Sequence, residues 1–234
     1  MDLLSLLAIK HNTDKNPNAH NFTPIYNNLL KSMINDKFNF LEIGVFYGSS
    51  IKMWNDYFNN AIIYGADTFK GKQGNGRYFN NPEYFYNQWQ LYKNTIYNRV
   101  ELIKLDQSSI DELKNFVNYC KSNNIKFKVI LDDASHLMRD QQITFYYLFQ
   151  LLDDNGLFII EDTHTSDDFG YDLLPDKSNS TNNFIDNILK NKIIDDRYIL
   201  DYDKEYANNI INSINNIERI KSTKGSETTV IYRI

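Results

Sequence analysis

"FLEIGVFYGSSIKMW", residues 40–54, decides the fold. An apolar run broken only by Glu42 stops at Gly44, and beyond Gly48 the residues Ile51 and Trp54 recur at helical spacing behind a Ser49–Ser50 start. A buried strand that turns through glycine straight into a helix is the opening unit of a parallel sheet with helical crossovers. Glycine in such a turn permits positive φ and lets a ligand approach backbone N–H groups at the helix start.

Outward from this unit the pattern repeats. Apolar runs "AIIYGADT" (61–68), "RVELIKLD" (99–106), "FKVILDDA" (127–134) and "GLFIIEDT" (156–163) follow the first strand, "FNFLEIGV" (38–45). Between them "SSIKMWNDYF" (49–58), "SSIDELKNFVNYCKSN" (108–123) and "RDQQITFYYLFQLLDDNG" (139–156) carry apolar residues at helical spacing, with Ser-Ser starts and an Asn-Gly end that suit caps. After a polar stretch from Thr163 to about Asn183, a helix is expected at "NFIDNILKNKI" (183–193). Closing strands are expected at "DRYILDY" (196–202) and "ETTVIYRI" (227–234), joined by a helix-loop segment and forming an antiparallel hairpin at one sheet edge. The resulting fold class is α/β. It is a Rossmann-like, seven-stranded, mostly parallel sheet with a C-terminal antiparallel strand and helices on both faces, which matches class I methyltransferases better than a six-stranded dinucleotide fold.

Composition bounds the function. The 234 residues, 42% hydrophobic and 15% aromatic, are enough for one core, so residues 1–234 read as a single domain. Within it, 1–35 is expected as an N-terminal helical cover and 36–234 as the core, with an insertion near 68–98. A net charge of -5 and the absence of a basic stripe argue against nucleic acid as a partner. Cys120 is the only cysteine, so no internal disulfide is expected and a reducing compartment is the simplest home. "MDLLSLLAIKH" lacks a basic start and a small-residue cleavage site, and reads as an amphipathic helix rather than a signal peptide. No apolar run reaches bilayer-spanning length, so no membrane partner is expected. The Asn, Ile, Lys and Tyr content suggests an A+T-rich genome, bacterial or viral. The expected location is the cytoplasm, the host's if viral.

Ligands of open α/β sheets bind beyond the carboxyl ends of the strands, where the strand order reverses. The first turn brings Glu42, Gly44, Tyr47, Gly48 and Ser49 there, the second strand ends on Asp67, and the third presents Asp106, Gln107 and Ser108. A glycine turn, an acid suited to a ribose diol and a polar clamp point together to an adenosine-containing ligand. NAD fits the same frame, but the turn lacks the G-x-G-x-x-G spacing. Glu42 beside the turn suits a cationic sulfonium and amino group better than a pyrophosphate, which favours S-adenosylmethionine.

Asp132 and Asp133 close the fourth strand, and Glu161 and Asp162 close the fifth. Neighbouring strands lie about 4.8 Å apart. Carboxylates that close repel unless protonated or bridged by a cation. Asp133, Glu161 and Asp162 are therefore the expected metal ligands. Oxygen donors favour Mg²⁺, with Mn²⁺ or Ca²⁺ as alternatives, over zinc. His136, three residues past Asp133, is the expected general base, since imidazoles exchange protons near neutrality. His164, in "EDTHTS", is a competing base or substrate contact.

These motifs resemble the metal-dependent sugar O-methyltransferases of macrolide and tetracenomycin biosynthesis and related rhamnosyl O-methyltransferases. The similar pieces are "HNTDKNPNAHNFTPIY", "FLEIGVFYGSSIKMWNDYF", "IYGADT", "LDQSS", "ILDDASH" and "LFIIEDTHTS", in the same order from about Lys10 to Ser166. The resemblance implies S-adenosylmethionine as donor, Mg²⁺ on Asp133, Glu161 and Asp162, and His136 as base. It places Asp133 beside the donor as well, and implies a cover over the site made by Thr13, Asp14, Lys15, His20 and Tyr26, with Thr13 contacting the donor. A homo-oligomer is the family-level expectation. The acceptor is expected to be a sugar hydroxyl, on a deoxyhexose such as rhamnose, as a nucleotide sugar or a glycoside. The aromatic insertion departs from the family and reads as an acceptor platform or a subunit interface. Alternatives are a catechol-type small-molecule O-methyltransferase, a non-catalytic donor-binding module, and an NAD-linked oxidoreductase.

Overall fold

The computed structural model describes residues 1–71, 83–167 and 179–234. The chain begins with helices α1 (Leu3–Lys10) and α2 (Thr23–Leu30). It then alternates β1 (Asn39–Ile43), α3 (Ser49–Tyr57), β2 (Ile62–Asp67), α4 (Tyr84–Tyr92), β3 (Val100–Lys104), α5 (Ile110–Ser122), β4 (Phe127–Asp132), α6 (Met138–Leu148) and β5 (Leu152–Glu161). It ends with α7 (Thr181–Asn191), α8 (Lys204–Asn212), β6 (Ile214–Lys221) and β7 (Glu227–Arg233).

The strands form one seven-stranded sheet in the order β3-β2-β1-β4-β5-β7-β6. Strands β1 to β5 are parallel, whereas β7 runs antiparallel to both β5 and β6. The order reverses between β1 and β4, so the crevice expected of an open α/β sheet opens above their carboxyl ends.

The sheet is covered on both faces. On one, α3 buries Ile51, Met53, Trp54 and Tyr57 against Phe40, Leu131 and Ile159, and Leu4 and Ala8 of α1 and Tyr26 and Leu30 of α2 join the same cluster. On the other, Leu113, Phe116 and Val117 of α5 meet Phe145 of α6 and Phe184 and Ile185 of α7. Ser109 caps α5 by accepting the Glu112 N–H, and Glu112 reaches back to the Asp106 N–H, a variant of the capping box.

Two expectations are corrected. The sixth strand is not "DRYILDY", which is turn and coil, but Ile214–Lys221. An edge strand needs few buried residues, and only Ile217 is buried in this one, so its Asn and charged residues hide it from a hydrophobicity reading. Helix α8 falls in the helix-loop segment expected before the last strand. Helix α6 ends at Leu148, and Leu152–Asn155, read as its tail, begins β5.

Of the insertion near 68–98, residues 72–82 lie outside the described residues, as do 168–178 of the polar stretch. In the described part, Phe85 and Trp89 of α4 are buried, and the Trp89 indole donates to the Val100 carbonyl at 2.7 Å. These aromatics therefore anchor α4 to the edge of the sheet, while Tyr84, Leu91 and Tyr92 remain exposed. Among the described residues, no helix is long and apolar enough to cross a membrane.

Candidate functional site

The carboxyl ends of the strands are tied together by backbone that ordinary residues rarely adopt. Gly44 has φ +97, and a Cβ there would fall 2.1 Å from the Asp133 carbonyl oxygen. Only glycine lets the end of β1 lie against the end of β4. Four other residues at this edge, Phe46, Phe69, His136 and Asp162, hold φ between 51 and 57. Left-handed non-glycine residues cluster where a site over-determines its backbone.

Above this edge lies a cavity of about 770 Å³. Thr13, Gly44, Tyr47, Ser49, Asp67, Asp106, Gln107, Ser108, Asp133 and His136 all line it. Of the residues expected to hold the donor, Glu42 and Gly48 lie behind the lining. Gly48 (φ +74) is the N-cap of α3, and Glu42 is buried, accepting from the Ser50 hydroxyl at 2.7 Å. Much of the expected clamp also serves the protein itself. Asp67 accepts the N–H groups of Val45 (2.8 Å) and Phe46 (2.9 Å), fixing the glycine turn. Gln107 donates to Asp132 (2.6 Å) and accepts the Ser135 N–H (3.1 Å), which joins the ends of β3 and β4. Asp106 accepts the N–H and hydroxyl of Ser108 in a local turn.

The acidic residues divide around Lys15. Its ammonium, 1% exposed, contacts Asp133 Oδ2, lies 3.0 Å from both Glu161 oxygens and is 3.7 Å from Glu42 Oε1. Burial alone would push the Lys15 pKa down, but the facing carboxylates of Asp133, Glu161 and Glu42 outweigh it and hold it well above its ordinary value. The Tyr26 hydroxyl donates to Glu161 Oε1 at 2.6 Å. Burial, reinforced by Asp133, raises the Glu161 pKa.

An outer group sits toward solvent. His136 Nε2 is 4.0 Å from Asp133 Oδ1 and 3.7 Å from Asp162 Oδ2, and a ligand atom from each of the three lies within 4.8 Å of the others. Asp162 Oδ1 is buried without a hydrogen-bond partner, with His164 Nδ1 at 3.6 Å and His20 Nδ1 at 4.0 Å. Three of the chain's four histidines therefore surround one carboxylate. His164 is itself fixed by the Glu227 N–H (3.4 Å), and His20 by the Ser226 hydroxyl (2.7 Å).

The arrangement fits a divalent cation. Asp133, Glu161, Asp162 and Glu42 crowd one region in which Lys15 is the only buried ammonium among the described residues, and Asp162 Oδ1 stands orphaned. Uncompensated buried carboxylate oxygens call for a bound cation or a proton. Asp133 and Asp162 form the outer cluster with His136, whereas Glu161, also expected as a ligand, lies outside it with its oxygens held by Lys15 and Tyr26.

Two neighbouring acids are raised by burial. Burial raises Glu42 to about 7, against the opposing pull of Lys15, and burial raises Asp132 to about 8. The folded chain then keeps protons that the unfolded chain has released above its ordinary carboxyl pKa of about 4. That stabilisation is complete below the unfolded pKa and is lost as pH rises through the folded values. The thermal midpoint in chelator is therefore expected to fall between about pH 5 and pH 8, and to fall less in Asp132→Asn. A midpoint rising across that range would contradict neutral buried carboxyls.

Sequence reasoning placed Lys15 in a cover but missed its three acidic partners. It also missed that Gln107 and Asp67 brace the strand ends. The "NTDKNPN" run resembles any polar loop, and no local signal marks a lysine destined for the interior.

No family model matches the chain. It is 26% identical over 170 residues to L-olivosyl-oleandolide 3-O-methyltransferase of Streptomyces antibioticus, covering 70% of this chain and 38% of that protein. Demethylmacrocin O-methyltransferase of Streptomyces fradiae matches at 26% over 187 residues (76% and 41%). Mycinamicin VI 2''-O-methyltransferase of Micromonospora griseorubida matches at 26% over 170 residues (70% and 36%). The chain thus spans about two-fifths of the length of these curated relatives. Among solved structures, the MycE methyltransferase of the mycinamycin biosynthetic pathway, in complex with Mg and SAH, superposes with a TM-score of 0.67 at 22% identity. That match covers 98% of this chain and 54% of that one. The O-methyltransferase TomG from Streptomyces achromogenes, in complex with SAM, gives 0.55 at 13% identity, covering 100% and 91%. The fold is that of class I methyltransferases.

Proposed function

We propose that this chain transfers a methyl group from S-adenosylmethionine to a sugar hydroxyl with the help of Mg²⁺. The acceptor would be a deoxyhexose such as rhamnose, presented as a nucleotide sugar or a glycoside. The observation that carries the reading is the convergence of Asp133, His136 and Asp162, the first two of which line the cavity above the glycine turn. Two comparisons support it: the curated relatives are named as O-methyltransferases of sugar-bearing compounds, and MycE was solved with Mg and SAH. The same reading takes residues 1–234 as one domain with 1–35 as its cover, working in the cytoplasm as a homo-oligomer.

Asp133, Asp162 and Glu161 would hold the ion, which when bound acidifies and orients a coordinated hydroxyl. The Val45–Ser49 turn and Thr13 wall the donor. His136 accepts the hydroxyl proton as the oxygen–methyl bond forms and the methyl–sulfur bond breaks, leaving a neutral thioether. Holding oxygen, methyl and sulfur in line removes much of the entropic barrier.

The test is a screen of nucleotide sugars and sugar-bearing metabolites with methyl-labelled donor, run with Mg²⁺ and with chelator. Label is expected in a sugar acceptor only when Mg²⁺ is present. Transfer indifferent to chelator, or transfer to catechols but to no sugar, would overturn the reading.

A further inference from the structure

Lys15 stands in a place where an ammonium is costly. It lies in the segment between α1 and α2, yet its side chain is 1% exposed, enclosed by acids from the ends of β1, β4 and β5. Burying a charge is tolerated only when it is paired and hydrogen-bonded. Here the partners are Asp133 and Glu161, two of the groups expected to hold the divalent ion. We propose that the Lys15 ammonium holds the place of that ion, so that ion binding is an exchange in which Asp133 and Glu161 pass from Lys15 to the metal. The inference rests on the metal reading above.

The geometry supports competition rather than coexistence on the same atoms. Lys15 occupies Asp133 Oδ2 and both Glu161 oxygens, leaving Asp133 Oδ1 as the oxygen turned toward His136 and Asp162. Two cations drawing on the same carboxylates in a dry pocket repel one another, because little water intervenes to screen them. Glu42 Oε1, 3.7 Å from Nζ and without a hydrogen bond, is a partner to which the ammonium can retreat.

Exchange at Lys15 also reaches the donor cavity. The residues just before it, Asn12, Thr13 and Asp14, line that cavity. The segment closes on itself through His20 N–H to the Asp14 carbonyl (2.9 Å) and Phe22 N–H to the Lys15 carbonyl (3.1 Å). Ion occupancy is thereby linked to the wall against which the donor rests.

The experiment measures Mg²⁺ binding by calorimetry, with the thermal shift as a second readout, in the absence of donor and acceptor. Lys15→Met removes the competitor and is expected to bind Mg²⁺ at least about tenfold tighter than the wild type, with a correspondingly larger rise in Tm. Lys15→Arg keeps the charge and should stay within about threefold of the wild type. Since Lys15→Met leaves three acids without their cation and puts folding at risk, the same comparison is made between Glu42→Gln and the double variant Lys15→Met/Glu42→Gln, in which one charge of each sign is removed. Tighter binding in the lysine-free member of either pair supports the exchange, and equal or weaker binding overturns it. If none of these proteins binds Mg²⁺, the metal reading itself falls. If they bind and the lysine-free proteins bind no tighter, only the exchange falls.

Discussion

Asp133→Asn is expected to lower kcat/KM for methyl transfer on the order of 10³-fold, the loss of several kcal/mol of metal-derived barrier lowering. Asp133 follows the last residue of β4 and is pinned there by its N–H to the Ile43 carbonyl (2.8 Å) and by the Gly44 contact. Its two oxygens face different partners: Oδ2 meets Lys15, and Oδ1 points to the cluster with His136 and Asp162. Asparagine preserves the shape and leaves Lys15 with Glu161 and Glu42, so the fold should survive. It removes the charge that a hard cation requires. Mg²⁺ binding measured by calorimetry should be lost together with turnover, while S-adenosylhomocysteine binding persists. A variant that retains wild-type turnover in the presence of chelator would remove the metal from the mechanism.

The second large effect is at His136. His136→Gln is expected to reduce kcat by about 10²–10⁴-fold, the usual contribution of a positioned general base. The backbone here is left-handed (φ 57), and the His136 carbonyl accepts from the Thr165 hydroxyl at 3.2 Å, a contact that does not depend on the side chain. The loss should therefore appear in kcat, with KM, donor affinity and Mg²⁺ affinity close to wild type. His164→Gln is the control. His164 approaches Asp162 from the other side and is fixed by the Glu227 N–H, so its replacement should change kcat by less than about tenfold if His136 is the base. If the two substitutions exchanged effects, the proton acceptor would be His164.

Several pieces of the site were readable because they are local. The stop of an apolar run at Gly44, the helical spacing after Gly48, and acids at the ends of "FKVILDDA" and "GLFIIEDT" are each contained within a few residues. A parallel sheet then brings those ends to one edge without further information, as the register of β4 on β5 does for Asp132 and Ile160. Strand β6 was not readable for the opposite reason: an edge strand is solvated on one side and carries little hydrophobic signal. Likewise Asp67 looks like a ribose acceptor in sequence, but its reach to the Val45 and Phe46 N–H groups exists only because β2 lies beside β1.

The sequence by itself determined the alternation of strand and helix, the glycine turn and the supply of acids and histidines, because hydrophobic period and turn chemistry act over neighbouring residues. The tertiary structure alone decided how the charges pair. Lys15 meets Asp133 across 118 positions and Glu161 across 146. Electrostatic pairing depends on distance in space and on the exclusion of water, and neither is written in the order of the chain.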